Sequence, residues 1–363
     1  MNENHFLHLK NNLPALVLAP MEGVTDFPMR ALMSETGAFS FCVTEFLRVT
    51  QTASSKKTIC EYLPETANNS RTPSGVPVVL QFLGGDSNLL AESAAQGIRA
   101  GASGIDLNFG CPAPTVNRHD GGATLLKFPQ RIREIVTAVR AAVPKEYPVS
   151  AKLRLGWENP EDILINAEMA ALGGASWITI HARTRTQGYK PPAHWKWVRA
   201  VKKNLSIPVI ANGDLWTLDA FEKCREETQC EHMMLGRGAL ADPLLAIQVA
   251  RRLGLISTYA DAPLSIGNSI ENWRPWIERF VEISLPNSKH PSYLVRRIKQ
   301  WLQFAKMRQE IPWFEELKRM ESLDAILEFI SQPPSEEVLL HSPSSSMSAP
   351  IHPASEQSLA YAL

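Results

Sequence analysis

The sequence predicts an α/β fold, a (β/α)8 TIM barrel followed by a small C-terminal helical domain. Three observations predict it. Eight short apolar runs recur along the chain, and each ends on polar or glycine residues. A helix-like stretch of about 10–20 residues follows each run, which implies parallel strands joined by crossover helices. Past Arg251 the alternation stops, and helical periodicity continues without further strand signals.

The elements follow in order. Leu16-Val17-Leu18-Ala19 runs into Pro20-Met21-Glu22-Gly23, and Phe41-Cys42-Val43 into Thr44-Glu45-Phe46. Val78-Val79-Leu80 meets Gln81. The fourth run stops on Asn108 and turns through Gly110, Cys111 and Pro112. Val149-Ser150-Ala151 meets Lys152-Leu153-Arg154, and Trp177-Ile178-Thr179-Ile180 meets His181. Val209-Ile210-Ala211 meets Asn212-Gly213-Asp214, and Met233-Met234-Leu235 meets Gly236-Arg237-Gly238. Residues 1–12 read as a loose leader, 13–255 as the barrel and 256–332 as the helical domain. Residues 333–357 are rich in Ser and Pro, and 333–363 read as a disordered tail.

Composition bounds the function. The chain has 363 residues, enough for one barrel and a smaller domain. Its 37 basic and 37 acidic residues cancel, so no global basic excess advertises nucleic acid. The five cysteines, Cys42, Cys60, Cys111, Cys224 and Cys230, are odd in number and lack the paired spacing of a zinc site. A reduced, cytoplasmic setting is expected. The first residues lack the apolar core of a signal peptide, and no apolar run reaches the ~18 residues of a membrane span. A monomer is expected.

Barrel enzymes place their chemistry at the carboxyl ends of the strands, so the residues ending each run are the candidates. Cys111 sits on a turn at such an end, where a reacting thiol is placed; the alternative is a small apolar loop cysteine. Gly213 and Gly236-Arg237-Gly238 follow the seventh and eighth strands, where glycine lets backbone N–H groups approach a phosphate and arginine supplies charge. Lys152 and His181 end strands five and six and point at the barrel mouth. Gln81 and Asn108 offer both donor and acceptor, which suits the edge of a heterocyclic ring. Residues 289–309 hold Lys289, Arg296, Arg297, Lys299, Lys306 and Arg308 and no acidic residue. Leu294, Ile298, Trp301, Leu302 and Ala305 form an apolar helical stripe, with Arg296, Lys299, Gln303 and Lys306 on another face.

Taken together, the strings resemble the tRNA-dihydrouridine synthases. They are Ala19-Pro20-Met21-Glu22-Gly23-Val24-Thr25-Asp26, Thr44-Glu45-Phe46, Leu107-Asn108-Phe109-Gly110-Cys111-Pro112, Gly121-Gly122-Ala123 and Lys152-Leu153-Arg154-Leu155-Gly156. His181-Ala182-Arg183-Thr184, Gln187-Gly188-Tyr189, Ala211-Asn212-Gly213-Asp214 and Gly236-Arg237-Gly238 continue them. Arg48-Val49, Ser70-Arg71-Thr72-Pro73-Ser74-Gly75 and Arg297-Ile298-Lys299-Gln300-Trp301-Leu302 further resemble the family's bacterial C type, which acts on uridine 16 of the D-loop. The resemblance covers about residues 15–330.

The resemblance implies an FMN-dependent, NADPH-driven reduction of the C5–C6 double bond of uridine in tRNA. It implies that Pro20, Met21, Glu22, Gln81, Lys152, His181, Asn212, Gly213, Asp214, Gly236 and Arg237 hold FMN. Cys111 would be the proton donor, and Asn108, Arg154 and Tyr189 would face the base. Arg48, Arg296, Arg297, Lys299 and Trp301 would contact the tRNA. Two other readings stay open. An FMN barrel reductase of a free pyrimidine, in the manner of dihydroorotate dehydrogenases, would share the fold but not need the basic helix. A non-catalytic tRNA-binding protein would not need Cys111, Lys152, His181 and Arg237 together.

Overall fold

The computed structural model describes residues 6, 9, 11, 13–117, 120–256, 265–288 and 290–332. Eight parallel strands close into a barrel in chain order: β1 (Ala15–Leu18), β2 (Phe41–Arg48), β3 (Val78–Leu83), β4 (Ile105–Phe109), β5 (Val149–Arg154), β6 (Ile178–His181), β7 (Val209–Asn212) and β8 (His232–Leu235). β8 pairs back on β1, from Ala15↔His232 to Leu18↔Leu235, so the barrel leaves no open edge. Each predicted run lies on its strand. β2 runs further than expected: it continues through a register shift between Val43 and Phe46 to Arg48, which therefore ends a strand instead of lying in a loop.

Alternation sorts the side chains. One set, including Val17, Phe41, Val43, Val79, Ile210 and Met234, fills the barrel interior. The other, including Leu16, Leu80, Leu107, Leu153, Ile180 and Leu235, packs under the helices. The leader expectation needs correction at two residues. Phe6 and Leu9 are buried and join the interior cluster. The Phe6 ring lies 5.3 Å from both Phe41 and Trp177, so these rings fill the barrel at the amino ends of its strands. The leader's other residues except Asn11, the tail 333–363 and Lys289 fall outside the described residues.

Beyond the barrel come three main helices, Ile270–Ser284, Pro291–Arg308 and Leu323–Ser331. Their apolar stripes share one core with the outer layer of the barrel. Trp301 is its centre: fully buried, edge-on to Trp273 at 5.7 Å, with Nε1 donating to the Leu240 carbonyl at 2.9 Å. Arg308 pairs with Asp242, and Arg279 with Glu35 at 2.7 Å, so charged groups also bridge helix and barrel. Among the described residues no helix is long and apolar enough to cross a membrane. All five cysteines are free.

Candidate active site

The carboxyl ends of the strands surround a cavity of about 470 Å³. That volume lies within the range of small-molecule sites. Pro20, Met21 and Glu22 line it from the β1 end, Asn108 and Cys111 from β4, and Lys152 and Arg154 from β5. His181 and Tyr189 follow from β6, Asn212, Gly213 and Asp214 from β7, and Gly236 and Arg237 from β8. Arg48 lines it too, with its Nη2 donating to the Thr115 carbonyl at 2.9 Å.

The β1 turn is built by Thr25. Its hydroxyl accepts from Met21 N at 2.7 Å and donates to the Ala19 carbonyl at 3.2 Å. Glu22 faces the cavity, and burial, followed by the nearby Glu45, pushes its carboxyl up to about 7. Glu45 itself accepts from Gly23 N.

The Cys111 turn is held from both sides. Asn108 Oδ1 accepts the backbone N–H of Gly110 and of Cys111, each at 2.9 Å. Arg154 Nε donates to the Gly110 carbonyl at 2.8 Å. This is an Asx-type turn, which explains an asparagine two residues before a glycine. Burial pushes the Cys111 thiol above its usual value, so it stays protonated.

Arg154 directs its other donors to the Thr184 and Gly188 carbonyls, at 3.1 and 2.7 Å. It therefore ties the Cys111 turn to the loop carrying Tyr189. That ring lies 5.1 Å from the guanidinium of Arg154 and 4.8 Å from that of Arg237. Arg237 is also 4.9 Å from the Trp216 ring. Such ring packing orients the cation and excludes water from it.

Two cationic candidates behave differently. Burial, then Arg154, lowers the Lys152 ammonium to about 8. Burial, with Arg154, Arg183 and Lys152 beside it, holds the His181 imidazole neutral.

The predicted residues do not all reach the cavity. Gln81 is fully buried beneath Asn108, bonded to it and to Asp106, and does not line the wall. Asp214 lines the wall, but its carboxylate is taken by Arg183 and by Ala193 N at 2.7 Å. It fixes the β7 loop, where Gly213 has φ +118° and Asp214 φ +58°.

The basic helix is corrected more strongly. Arg297 is 5 % exposed and closes on Asp26 and the Val24 carbonyl. Trp301 lies in the core. Neither can meet a tRNA surface. Lys306 pairs with Glu315 and Arg308 with Asp242, so acids outside the run neutralise part of a stretch that holds none. Arg296 stays exposed and Lys299 half-exposed. Thr25, Asp106, Arg183 and Trp216 escaped sequence reasoning. So did Phe304 and Met307, which bring the C-terminal helix into the cavity wall.

A flavin fits these residues. Among the described residues His181 Nδ1 is buried with no hydrogen-bond partner, and Lys152 lines the same wall. Both face a cavity whose β7 and β8 rims carry Gly213, Gly236 and Arg237. A polar heterocycle would satisfy the first pair, and a phosphate the second group.

Comparison with known proteins agrees. The chain is 42% identical over 291 residues to the tRNA-dihydrouridine(16) synthase of Neisseria meningitidis serogroup A, covering 80% of this chain and 85% of that protein. It is 42% identical over 322 residues to the tRNA-dihydrouridine(16) synthase of Aquipseudomonas alcaligenes, covering 88% and 99%. Two solved structures share the barrel fold at 14% identity and a TM-score of 0.50. They are a 2-naphthoyl-CoA reductase complex, covering 66% of this chain and 50% of that one, and the histamine dehydrogenase of Rhizobium sp. 4-9, covering 74% and 49%. The chain thus spans about half of each of those two proteins. A family model described as dihydrouridine synthase matches residues 17–328, and the chain belongs to that family.

Proposed function

We propose that this chain reduces the C5–C6 double bond of uridine in tRNA to dihydrouridine, at position 16, using a bound FMN that NADPH recharges. The observation that carries the reading is the placement of Cys111. A thiol kept protonated by burial stands on a rigid turn, in one cavity with Lys152, His181 and Arg237. A flavin held there would supply a hydride equivalent for C6 of the uracil ring. Cys111 Sγ holds the proton that C5 needs, within a wall formed by Asn108, Arg154 and Tyr189. Lys152, protonated below about pH 8, would stabilise negative charge on a flavin held there. Neutral His181 can donate one hydrogen bond without adding charge. Arg237 would hold the phosphate, and the packed Tyr189 and Trp216 rings keep its guanidinium in place. A uridine inside a folded tRNA must be turned out of its stack to enter, and the exposed Arg296 and half-exposed Lys299 would grip phosphates.

The test is mass mapping of dihydrouridine on a tRNA transcript treated with the purified protein, NADPH and FMN. Dihydrouridine at position 16 is expected. Reduction of free uracil or orotate with no change in the tRNA would replace this reading by that of a free-pyrimidine reductase.

A further inference from the structure

Asp106 lies on β4, two residues before Asn108, and is 2 % exposed. The register sets it beside Gln81 on β3 and Ser150 on β5. Its carboxylate accepts from Gln81 Nε2 at 2.7 Å and from Ser150 Oγ at 2.5 Å. Gln81 Oε1 in turn accepts from Asn108 Nδ2 at 2.9 Å. Asn108 Oδ1 accepts from Gly110 N and Cys111 N.

This chain of bonds has only one direction. A backbone N–H can only donate, so Asn108 must aim Oδ1 at the turn. Its Nδ2 then faces Gln81, which must present Oε1. Gln81 Nε2 is left facing Asp106, which must accept. A carboxylate accepting on both oxygens meets that demand: burial raises its proton affinity, and the bonds from Ser150 and Gln81, with the Lys152 charge, act against that rise. A second observation is independent of the first. Lys152 follows Ser150 on the same inward row of β5, and the Asp106 charge acts on its ammonium.

The structure assigns Asp106 as the positioning residue of the active site. It orients the Gln81 and Asn108 amides that carry the Cys111 turn, and it is the buried counter-charge of Lys152. The assignment rests on the proposed role of Cys111 for its first half only. Asp106 touches neither the cavity nor a reacting atom, so it acts through others.

The groups facing Lys152 decide the sign of the test. Arg154 on its own strand opposes its charge, and His181 on β6 is neutral. Asp106 and Cys111 favour the charge, and a protonated thiol contributes none of it. Asp106→Asn keeps the shape and an acceptor for Gln81, and removes the supporting charge. Lys152 should then lose its proton at lower pH.

Competitive acetylation of full-length flavin-free protein, read at the Lys152 peptide by mass spectrometry, measures that proton directly. The wild-type midpoint is expected near pH 8, and in Asp106→Asn about 1 unit lower or more. Rapid mixing of the reduced holoenzyme with a tRNA transcript gives the second readout. Flavin reoxidation by Asp106→Asn is expected to be about fivefold slower at pH 8, following the lost Lys152 charge. An unmoved Lys152 midpoint, or a wild-type reoxidation rate at that pH, overturns the assignment. Cys111→Ala serves as reference. If its reoxidation matches wild type, the proton-donor reading fails, while the Lys152 midpoint still judges Asp106.

Discussion

Arg297, on the helix Pro291–Arg308, is ion-paired with Asp26, which caps the helix Phe27–Ser34, at 3.1 Å. Asp26 also accepts from Tyr293 and from Met29 N. One carboxylate thus caps a barrel helix and docks the C-terminal helix beside the β1 turn. Arg297→Ala should therefore act on stability rather than on RNA binding. Removing one partner of a nearly buried pair costs about 3–5 kcal/mol. Urea unfolding should show that loss, and the salt dependence of tRNA binding should keep its wild-type slope.

Arg296 and Lys299 should behave in the opposite way. Removing one phosphate-binding cation lowers the slope of log affinity against log salt by about 1. Arg296→Glu combined with Lys299→Glu should weaken tRNA binding and flatten that slope, with unfolding free energy nearly unchanged. Filter binding across a salt series measures it; a wild-type slope would move the RNA-binding face elsewhere.

Cys111→Ala should retain flavin and accept electrons from NADPH, yet pass them to tRNA slowly. Losing a general acid typically costs about 10²–10⁴-fold. Stopped-flow measurement of the two half-reactions separates these effects. Cys42, Cys224 and Cys230 are fully buried, with thiols raised by burial, and stand away from the cavity. Replacing them with alanine should leave the tRNA half-reaction unchanged.

The pH profile should have an alkaline limb near 8. Lys152 loses its charge as pH rises through about 8, while the raised Cys111 thiol still keeps its proton. Lys152→Arg should move that limb upward, because a guanidinium does not titrate there. At lower pH, Glu22 gains negative charge as pH rises through about 7. That charge would disfavour a bound anion, so flavin affinity should weaken severalfold between about pH 6 and 7.5. Glu22→Gln should remove this dependence, as read by fluorescence titration.

Arg30 and Glu65 test the support under the β1 turn. The pair is fully buried and bidentate, both bonds at 2.8 Å, and Arg30 also donates to the Thr25 carbonyl at 2.8 Å. Arg30→Met should destabilise by about 3–5 kcal/mol by stranding Glu65. Replacing both residues with apolar ones should recover much of that in thermal melts.

The strand ends were legible because a closed parallel barrel leaves little choice. Once eight apolar runs alternate with helices, the residue after each run must sit at the mouth, and Cys111, Lys152, His181 and Arg237 do. Gln81 was misplaced because its strand runs on past the apolar pattern to Leu83, which drops the amide below the rim. Arg297 and Trp301 show another limit. Periodicity separates two faces of a helix, but Asp26 and Leu240 decide which face meets the barrel. They lie 271 and 61 positions away in sequence. Asp106 was illegible for a related reason. Its partners come from neighbouring strands, and nothing local marks a lone aspartate in an apolar run.

The rings of Phe6, Phe41 and Trp177 stop the barrel from below, and this bears on traffic. Gln81, Asp106 and Ser150 are buried beneath Asn108 and Lys152, so among the described residues no back door leads to the cavity. On the proposed function, reductant and RNA would then both enter by the mouth at the carboxyl ends of the strands. Each visitor should then act as a competitor of the other: excess tRNA should slow recharging by NADPH, and spent nucleotide should slow the entry of uridine.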